Sequence, residues 1–154
     1  MGVLKYVGKK ISFLAFLLFI LAGCLPKSQN LSLQNSFNTW INQYDIVISS
    51  WDEMFAHNDE SYFNYVYSDT CGHCLSIKEE VETFAINSST PFYFVPFTEE
   101  IPIGENIEKT IGATTLEECF IKGTPSLILI ENSTVVLNVA GTNNILETID
   151  LYKT

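Results

Sequence analysis

The sequence predicts an α/β domain, in which a mixed β-sheet carries helices on both of its faces. Its 154 residues are enough for one domain with a substantial core. Apolar segments of strand length alternate with segments whose apolar residues recur at helical spacing, which is typical of this class. The last two predicted strands are separated only by residues 131–133, which indicates an antiparallel hairpin. The predicted element order is β-α-β-α-β-α-β-β-α.

The first half of the domain contains two strands, each followed by a helix. Residues 44–48 form a short first strand. Ser50, or the serine before it, caps a helix that runs to about residue 58. Residues 62–67 form an apolar second strand, and the helix after it extends to about residue 87. The buried side of that helix is marked by apolar residues at roughly helical spacing: Leu75, Ile77, Val81, Phe84 and Ala85.

The second half of the domain supplies three more strands and two helices. Between them, residues 101–112 are ambiguous, because Pro102 and Gly104 favour a loop at the start of the segment. The strands are residues 91–97, 126–130 and 134–140. The first of the two helices is short; Thr114 or Thr115 caps it and it ends at residue 120. The second covers residues 142–152, with Ile145, Leu146 and Ile149 facing inward.

Residues 1–23 have the organisation of a secretory signal segment. A lysine-containing start precedes an apolar run over residues 11–22, which is shorter than the ~20 residues that a membrane span requires. Residues 21–24, Leu-Ala-Gly-Cys, resemble a bacterial lipobox. This resemblance implies cleavage before Cys24 and attachment of a diacylglycerol to its sulfur. An uncleaved N-terminal anchor is the alternative, and it would leave the domain on the same side of the membrane.

The rest of the chain divides into the lipidated cysteine with a flexible tether rich in Ser, Asn and Gln, residues 24–36, and the domain, residues 37–154. All 18 acidic residues but only five of the eight lysines follow Cys24, which gives this part a net charge of −13. The sequence contains no arginine. This acidity argues against nucleic-acid binding and against attraction to anionic lipid headgroups, so membrane attachment depends on the lipid.

Cys71-Gly72-His73-Cys74 is the strongest functional signal in the sequence. It stands between the second strand and a helix, so the first thiol lies in the opening turn of that helix, where unpaired N–H groups favour a thiolate. The second thiol follows about one turn later, close enough to resolve a mixed disulfide. Because the pair closes a very short loop, reversible disulfide exchange suits it better than a structural role.

The element order, this cysteine motif and Gly123-Thr124-Pro125 together resemble the thioredoxin superfamily. The resemblance implies that Cys71 is the exposed nucleophile and that Cys74 is the less exposed resolving thiol. It also implies that Pro125 follows a cis peptide bond and lies against the cysteine pair. Thr124 is then expected to offer backbone hydrogen bonds to an extended protein substrate.

The resemblance covers about residues 44–152, nearly the whole domain, and includes Gly141 after the fifth strand. The dipeptide Gly72-His73 is the one found in protein disulfide isomerase. By this likeness, the imidazole of His73 stabilises the neighbouring thiolate by charge or by a hydrogen bond. The pKa of that thiol then falls from ~8.5, and the disulfide becomes more oxidising.

Three positions depart from the family pattern. Tyr65 stands where many relatives keep a buried acid, and Thr70 stands where thioredoxin and the isomerase usually have tryptophan. The helix after the motif lacks the mid-helix proline of thioredoxin. Without that acid, the sequence does not identify the group that accepts the proton of Cys74. The alternatives are water and a nearby group such as Glu80.

The cysteine and the histidine outside the motif, Cys119 and His57, are expected to have structural roles. Cys119 is interpreted as a small buried hydrophobe, with a regulatory thiol as the alternative. His57 is interpreted as a surface residue at a helix end. A metal site built from the cysteine pair with either of them has poor ligand spacing, and Leu75 after Cys74 argues against covalent haem. We therefore expect neither a metal nor a cofactor.

These observations predict a membrane-anchored, extracytoplasmic thiol–disulfide oxidoreductase that exchanges disulfides with protein substrates through Cys71 and Cys74. The Gly-His dipeptide favours oxidase or isomerase use, and a reductase is the close alternative. The expected partners are protein thiols and disulfides, an unidentified redox partner and the membrane through the lipid anchor, with the domain itself a monomer. The alternative from another class is a non-catalytic accessory or binding protein for an exporter or for a secreted peptide such as a bacteriocin.

Overall fold

The computed structural model describes residues 47–153. The predicted signal segment, Cys24, the tether and the start of the predicted first strand lie outside the described residues. None of the helices within the described range has the length and apolar composition that a membrane span requires.

The described part of the chain contains one mixed sheet of five strands. In chain order the strands are β1 (Val47–Ile48), β2 (Ser61–Tyr67), β3 (Phe92–Pro96), β4 (Ser126–Glu131) and β5 (Thr134–Ala140). They lie in the order β1-β3-β2-β4-β5. The strand β3 is parallel to both of its neighbours, whereas β4 is antiparallel to β2 and to β5. The predicted mixed sheet is thus confirmed, with β2 at its centre.

Three α-helices pack on the same face of this sheet: α1 (Gly72–Ser76), α2 (Lys78–Asn87) and α3 (Thr142–Tyr152). The sequence predicted one continuous helix through the region that α1 and α2 occupy. The structure breaks it at Ile77, whose φ of −119° and ψ of 14° are not helical. The Ser76 hydroxyl donates a hydrogen bond of 2.8 Å to the His73 carbonyl, and such back-bonding bends helices without a proline.

The opposite face of the sheet is covered by 3₁₀ turns and loops. The helix predicted to run to residue 58 is a single turn, Trp51–Glu53, and the helix predicted to end at residue 120 is the turn Leu116–Glu118. In the first case Trp51 and Met54 are buried three residues apart, a spacing that suits a 3₁₀ turn. A third turn, Ile107–Thr110, is fixed to β5 because Asn138 donates hydrogen bonds to the Thr110 hydroxyl and the Phe120 carbonyl, each at 2.9 Å.

The sheet separates two hydrophobic clusters, as strand alternation requires. The helix-covered face carries five buried aromatic side chains of β2 and β3: Phe63, Tyr65, Tyr67, Phe92 and Phe94. The cluster on the other face includes Tyr62, Val66, Val95, Ile128 and Ile130.

The ends of β5 are set by residues with positive φ. The predicted hairpin between β4 and β5 is present, and Asn132 and Ser133 turn the chain with φ of 49° and 58°. Two consecutive residues in this region form the type of turn that matches the twist of an antiparallel pair. Gly141, with φ of 87°, then leads from β5 into α3.

The packing of β4 predicts a clear difference between two leucine truncations. We expect Leu129→Ala, at a position only 1% exposed, to lower the free energy of unfolding by about 2–5 kcal/mol through lost contacts and a residual cavity. Leu151→Ala on α3, at a position 82% exposed, is the matched control and is expected to cost far less. Denaturant unfolding measures both, and equal losses would contradict the assignment of the core.

Candidate active site

The cysteine motif begins just beyond the carboxyl end of β2, at the centre of the sheet. Residues 68–70 turn the chain, and the Cys71 amide donates a hydrogen bond of 3.1 Å to the Ser68 carbonyl. Cys71 is the N-cap of α1 and is partly exposed, whereas Cys74, inside that helix, is 0% exposed. The structure therefore places the two sulfurs in unequal surroundings.

Two hydrogen bonds define the position of the Cys71 sulfur. The Cys74 amide donates to Cys71 Sγ over 3.2 Å, and Cys71 Sγ donates to the Thr124 carbonyl over 3.3 Å. The Thr124–Pro125 peptide bond is cis, as the sequence comparison with the family predicted. Thr124 and Cys71 are 53 residues apart in the chain, so the fold brings the two predicted site segments together.

The loop that carries Thr124 is held by its own hydrogen bonds. The Ser126 hydroxyl donates to the Gly123 carbonyl over 2.6 Å, and the Gly141 amide donates to the Pro125 carbonyl over 2.9 Å. These bonds join the loop to the starts of β4 and α3. The Thr124 carbonyl is thereby fixed against the cysteine pair.

The environment separates the acidities of the two thiols. Burial alone would raise the pKa of Cys71, but hydrogen bonding with the side chains of Cys74 and Thr124 and with the amides of Cys74 and His73 lowers it below its ordinary value. The pKa of Cys74 is raised to about 12, first by burial and then by its hydrogen bond to Cys71. Cys71 is consequently the thiol that ionises first.

The two residues between the cysteines face solvent. His73 is exposed, and among the described residues its ring has no hydrogen-bond partner; its backbone amide is one of the groups that lower the pKa of Cys71. Gly72 has no heavy atom within 4 Å of the position that a Cβ would occupy. The approach to Cys71 is therefore open on this side.

A groove of about 840 Å³ runs along the loop before β4. Its wall includes Thr124 and Pro125 together with Ala140 and Asn144 from the junction of β5 and α3. Thr124 therefore belongs both to the groove wall and to the contact with Cys71 Sγ, and no residue of the cysteine motif itself lines the groove.

Beneath the pair lies a phenol in place of an acid. Tyr65 is 0% exposed and lies in the same hydrophobic cluster as Cys74. Burial first, and then the charges and hydrogen bonding of the cysteine pair, raise the pKa of this phenol far above its ordinary value. Tyr65 is therefore a neutral hydrogen-bonding group at any physiological pH.

The sequence analysis missed one charged group near the site. Glu82 on α2 is 9% exposed and forms an ion pair with Lys78, whereas Glu80, named from the sequence as a possible proton acceptor, is exposed. Burial raises the pKa of Glu82, and Lys78 opposes that rise. The spacing of four residues between Lys78 and Glu82 was the signal available in the sequence.

Comparison with solved structures identifies the fold. Thioredoxin f from spinach chloroplast, in its short form, has a TM-score of 0.50 and 18% identity, covering 71% of this chain and 94% of that one. Thioredoxin from Plasmodium falciparum has a TM-score of 0.50 and 18% identity, covering 70% and 99%. A chain in the complex of ferredoxin:thioredoxin reductase and thioredoxin f2 has a TM-score of 0.51 and 16% identity, covering 71% and 96%.

The fold is thioredoxin-like. No protein-family model matches the sequence, and no curated protein matches it. At these identities the structural likeness establishes the fold alone. The chemistry of the site must accordingly be argued from the residues of this chain.

The other predicted residues do not join the site. Cys119 is 1% exposed in the cluster on the opposite face of the sheet, as expected of a small buried hydrophobe, and burial raises its pKa to about 11. The His57 ring stacks on Tyr93 at 3.6 Å between centroids, and its Nε2 lies 3.1 Å from the Ser49 hydroxyl. Within the described range, no three His, Cys, Asp or Glu side chains form a group that could hold a metal ion.

The unequal thiols predict selective alkylation of the folded chain. With iodoacetamide near neutral pH, we expect Cys71 to be modified long before Cys74 or Cys119, because only its pKa is lowered. Its modification rate should also level off at a lower pH than that of a free cysteine. Mass spectrometry of the peptides measures this, with the chain unfolded in guanidinium as the control. Equal rates for Cys71 and Cys74 in the folded chain would contradict the site geometry.

Proposed function

We propose that this protein is a thiol–disulfide oxidoreductase that acts on protein substrates through Cys71 and Cys74. The observation that carries the proposal is the asymmetry of the pair: one sulfur is partly exposed and hydrogen-bonded to an amide, and the other is buried one turn later with a pKa of about 12. A nucleophile and a resolving thiol need this division of properties.

The exchange proceeds in two steps in the reducing direction. The Cys71 thiolate attacks one sulfur of a substrate disulfide, forming a mixed disulfide and releasing the other substrate sulfur as a thiolate, which takes up a proton. Cys74 then loses its proton and attacks Cys71 Sγ, and the bond between Cys71 and the substrate breaks. The substrate gains two electrons and the protein retains a Cys71–Cys74 disulfide; in the oxidising direction the same steps run in reverse.

The groove beside Pro125 is the proposed substrate site. A substrate segment lying along it in an extended conformation would bring its sulfur to Cys71 and its backbone to Thr124. Backbone pairing of this kind tolerates many side chains, which supports a broad range of protein substrates.

We also propose that the domain works outside the cytoplasm, attached to the bacterial cell membrane through lipidated Cys24. The support is the N-terminal sequence, with its charged start, its short apolar run and its lipobox-like residues 21–24. An oxidising compartment is where a disulfide pair of this kind is most useful.

The redox direction is expected to be oxidising or isomerising. A Cys71 thiolate stabilised by hydrogen bonds favours the reduced state of the pair, which makes its disulfide a stronger oxidant. Equilibrating the full-length chain with glutathione buffers and quantifying the Cys71–Cys74 disulfide measures the potential. We expect a value well above that of thioredoxin, about −270 mV. A potential at or below that value would assign the protein to the reductases.

Trapping tests the chemistry directly. In cells that produce the full-length chain, we expect Cys74→Ala to accumulate mixed disulfides between Cys71 and substrate proteins, because the resolving thiol is absent. Non-reducing electrophoresis followed by mass spectrometry identifies these partners.

Two matched variants control the trapping experiment. Cys119→Ser in the Cys74→Ala background should keep the adducts, and Cys71→Ser in the same background should lose them. If the Cys71→Ser/Cys74→Ser double variant kept its full cellular function, the non-catalytic accessory role would be favoured over redox chemistry.

A further inference from the structure

The groove beside Pro125 carries charged side chains that take no part in the exchange steps described above. Glu105 and Glu108 come from the segment around the 3₁₀ turn Ile107–Thr110, and Lys122 is the one cationic residue among those that line the groove. All three side chains are exposed, so a segment that enters the groove meets them directly. Their charges are therefore available to distinguish one substrate from another.

The groove keeps an excess of negative charge. Lys122 Nζ lies 3.7 Å from Glu105 Oε2, but these side chains are 56% and 93% exposed, and ion pairs in such surroundings interact weakly. Among the described residues, Glu108 forms no ion pair. Over residues 47–153 as a whole, 17 acidic residues outnumber four lysines, so the rest of the domain does not offset this charge.

Hydrogen bonds fix the segment that carries the two carboxylates. Asn138 of β5, itself part of the groove wall, donates a hydrogen bond of 2.9 Å to the Thr110 hydroxyl. That hydroxyl donates in turn to the Ile107 carbonyl over 2.6 Å, which closes the 3₁₀ turn. On the other side, the Gly104 amide donates to the Ile121 carbonyl over 2.9 Å. The backbone is thus held both before Glu105 and after Glu108.

The groove wall also contains a buried hydrogen-bond acceptor. Asn138 is 7% exposed, and its amide nitrogen uses both hydrogens in the bonds to Thr110 and Phe120. Its Oδ1 is buried and has no hydrogen-bond partner among the described residues. A buried carbonyl oxygen costs free energy until a donor reaches it. This oxygen and the two carboxylates all accept hydrogen bonds, so the groove suits a ligand that brings donors and positive charge.

We propose that the groove selects substrate segments that carry lysine or arginine close to the reacting cysteine, an inference that rests on the thiol–disulfide exchange proposed above. Thr124 lies in the groove wall, and its carbonyl accepts a hydrogen bond of 3.3 Å from Cys71 Sγ. A segment bound along the groove therefore has its sulfur near Cys71 and its flanking side chains near the two carboxylates. Lysine and arginine side chains are donors only, which matches a wall of acceptors.

The expected effect is on association rather than on the exchange chemistry. Exposed charges at the rim of a site mainly raise the rate at which an oppositely charged partner is captured and oriented. Their influence falls as salt increases, because mobile ions screen it. Backbone contacts leave the site tolerant of sequence, and the carboxylates add a preference for charge.

Three peptides that differ only in charge test this preference. Each has one cysteine in a mixed disulfide with 5-thio-2-nitrobenzoate, flanked by two lysines, two glutamines or two glutamates. The reduced Cys71 thiolate attacks the peptide sulfur, and the bond to the nitrobenzoate sulfur breaks with its electron pair leaving on the chromophoric thiolate. The full-length chain carries Cys24→Ser and Cys119→Ala, so that Cys71 and Cys74 are its only thiols. Each rate is divided by the rate with β-mercaptoethanol, which corrects for the intrinsic reactivity of the peptide.

The ratio of the rates with the lysine and glutamate peptides is the readout. At about 0.05 M salt we expect it to be about fivefold or more in the parent chain, and to approach one at about 0.5 M salt. In Glu105→Gln/Glu108→Gln it should fall below about twofold, and Lys122→Gln should raise it because Glu105 loses its partner. The glutamine peptide should react at nearly the same rate in every chain, which shows that folding and Cys71 are intact.

Glu60→Gln/Glu131→Gln is the matched control, because it removes the same charge from exposed positions at the opposite end of the sheet. Glu131 ends β4 far from Thr124 and pairs with Ser61, the residue after Glu60. We expect the parent ratio in this variant. Equal losses in the two double variants would assign the preference to overall charge and overturn the role of the groove.

The remaining outcomes separate this inference from the proposed function. Equal rates for the three peptides in the parent chain would overturn the charge preference and leave the exchange reaction in place. Absence of nitrobenzoate release by Cys71 with every peptide would overturn the proposed function, and the preference with it.

Discussion

The chemistry of this molecule depends on the unequal solvation of two sulfurs that stand one helical turn apart. The amide of Cys74 is directed at Cys71 Sγ, so the first sulfur is stabilised as an anion by the backbone of the second. The same turn buries the Cys74 side chain in the core. A five-residue helix at the end of a strand is sufficient for this, because only its first turn is used.

The sheet order explains why the second half of the site is present. The strands β2 and β4 are antiparallel, with Val66 opposite Ser126, so the start of β4 meets the end of β2. The loop with Thr124 and Pro125 therefore lies beside the motif that follows β2, although a long stretch of chain separates them. Parallel pairing of these two strands would place that loop at the other end of the sheet. The antiparallel pairing of β2 with β4, next to the parallel strands β1, β3 and β2, is therefore what brings the two parts of the site together.

Periodicity and turn residues were sufficient to predict the strands, the hairpin and α3. They predicted helices near residues 51 and 116 that are longer than the single 3₁₀ turns in the structure. Too few apolar residues face the sheet there to sustain a longer helix. The sequence patterns also pointed to Glu80, which is exposed, and missed Glu82, which is largely buried. Residues two apart are about 200° apart around a helix, so Glu80 faces solvent when Glu82 faces the core. The helix break at Ile77 changes which residues of α2 face the core, and the sequence pattern did not show that break.

The exchange of a buried acid for Tyr65 has a physical logic. A carboxylate at a fully buried position beneath the sheet carries a large desolvation cost unless a cation accompanies it, whereas a phenol stays neutral and still forms hydrogen bonds. In this chain the charge lies instead at Glu82, at the edge of the helix layer, where Lys78 pairs with it and a cleft leads to solvent. The phenol thus keeps a polar group near the cysteine pair without a buried charge.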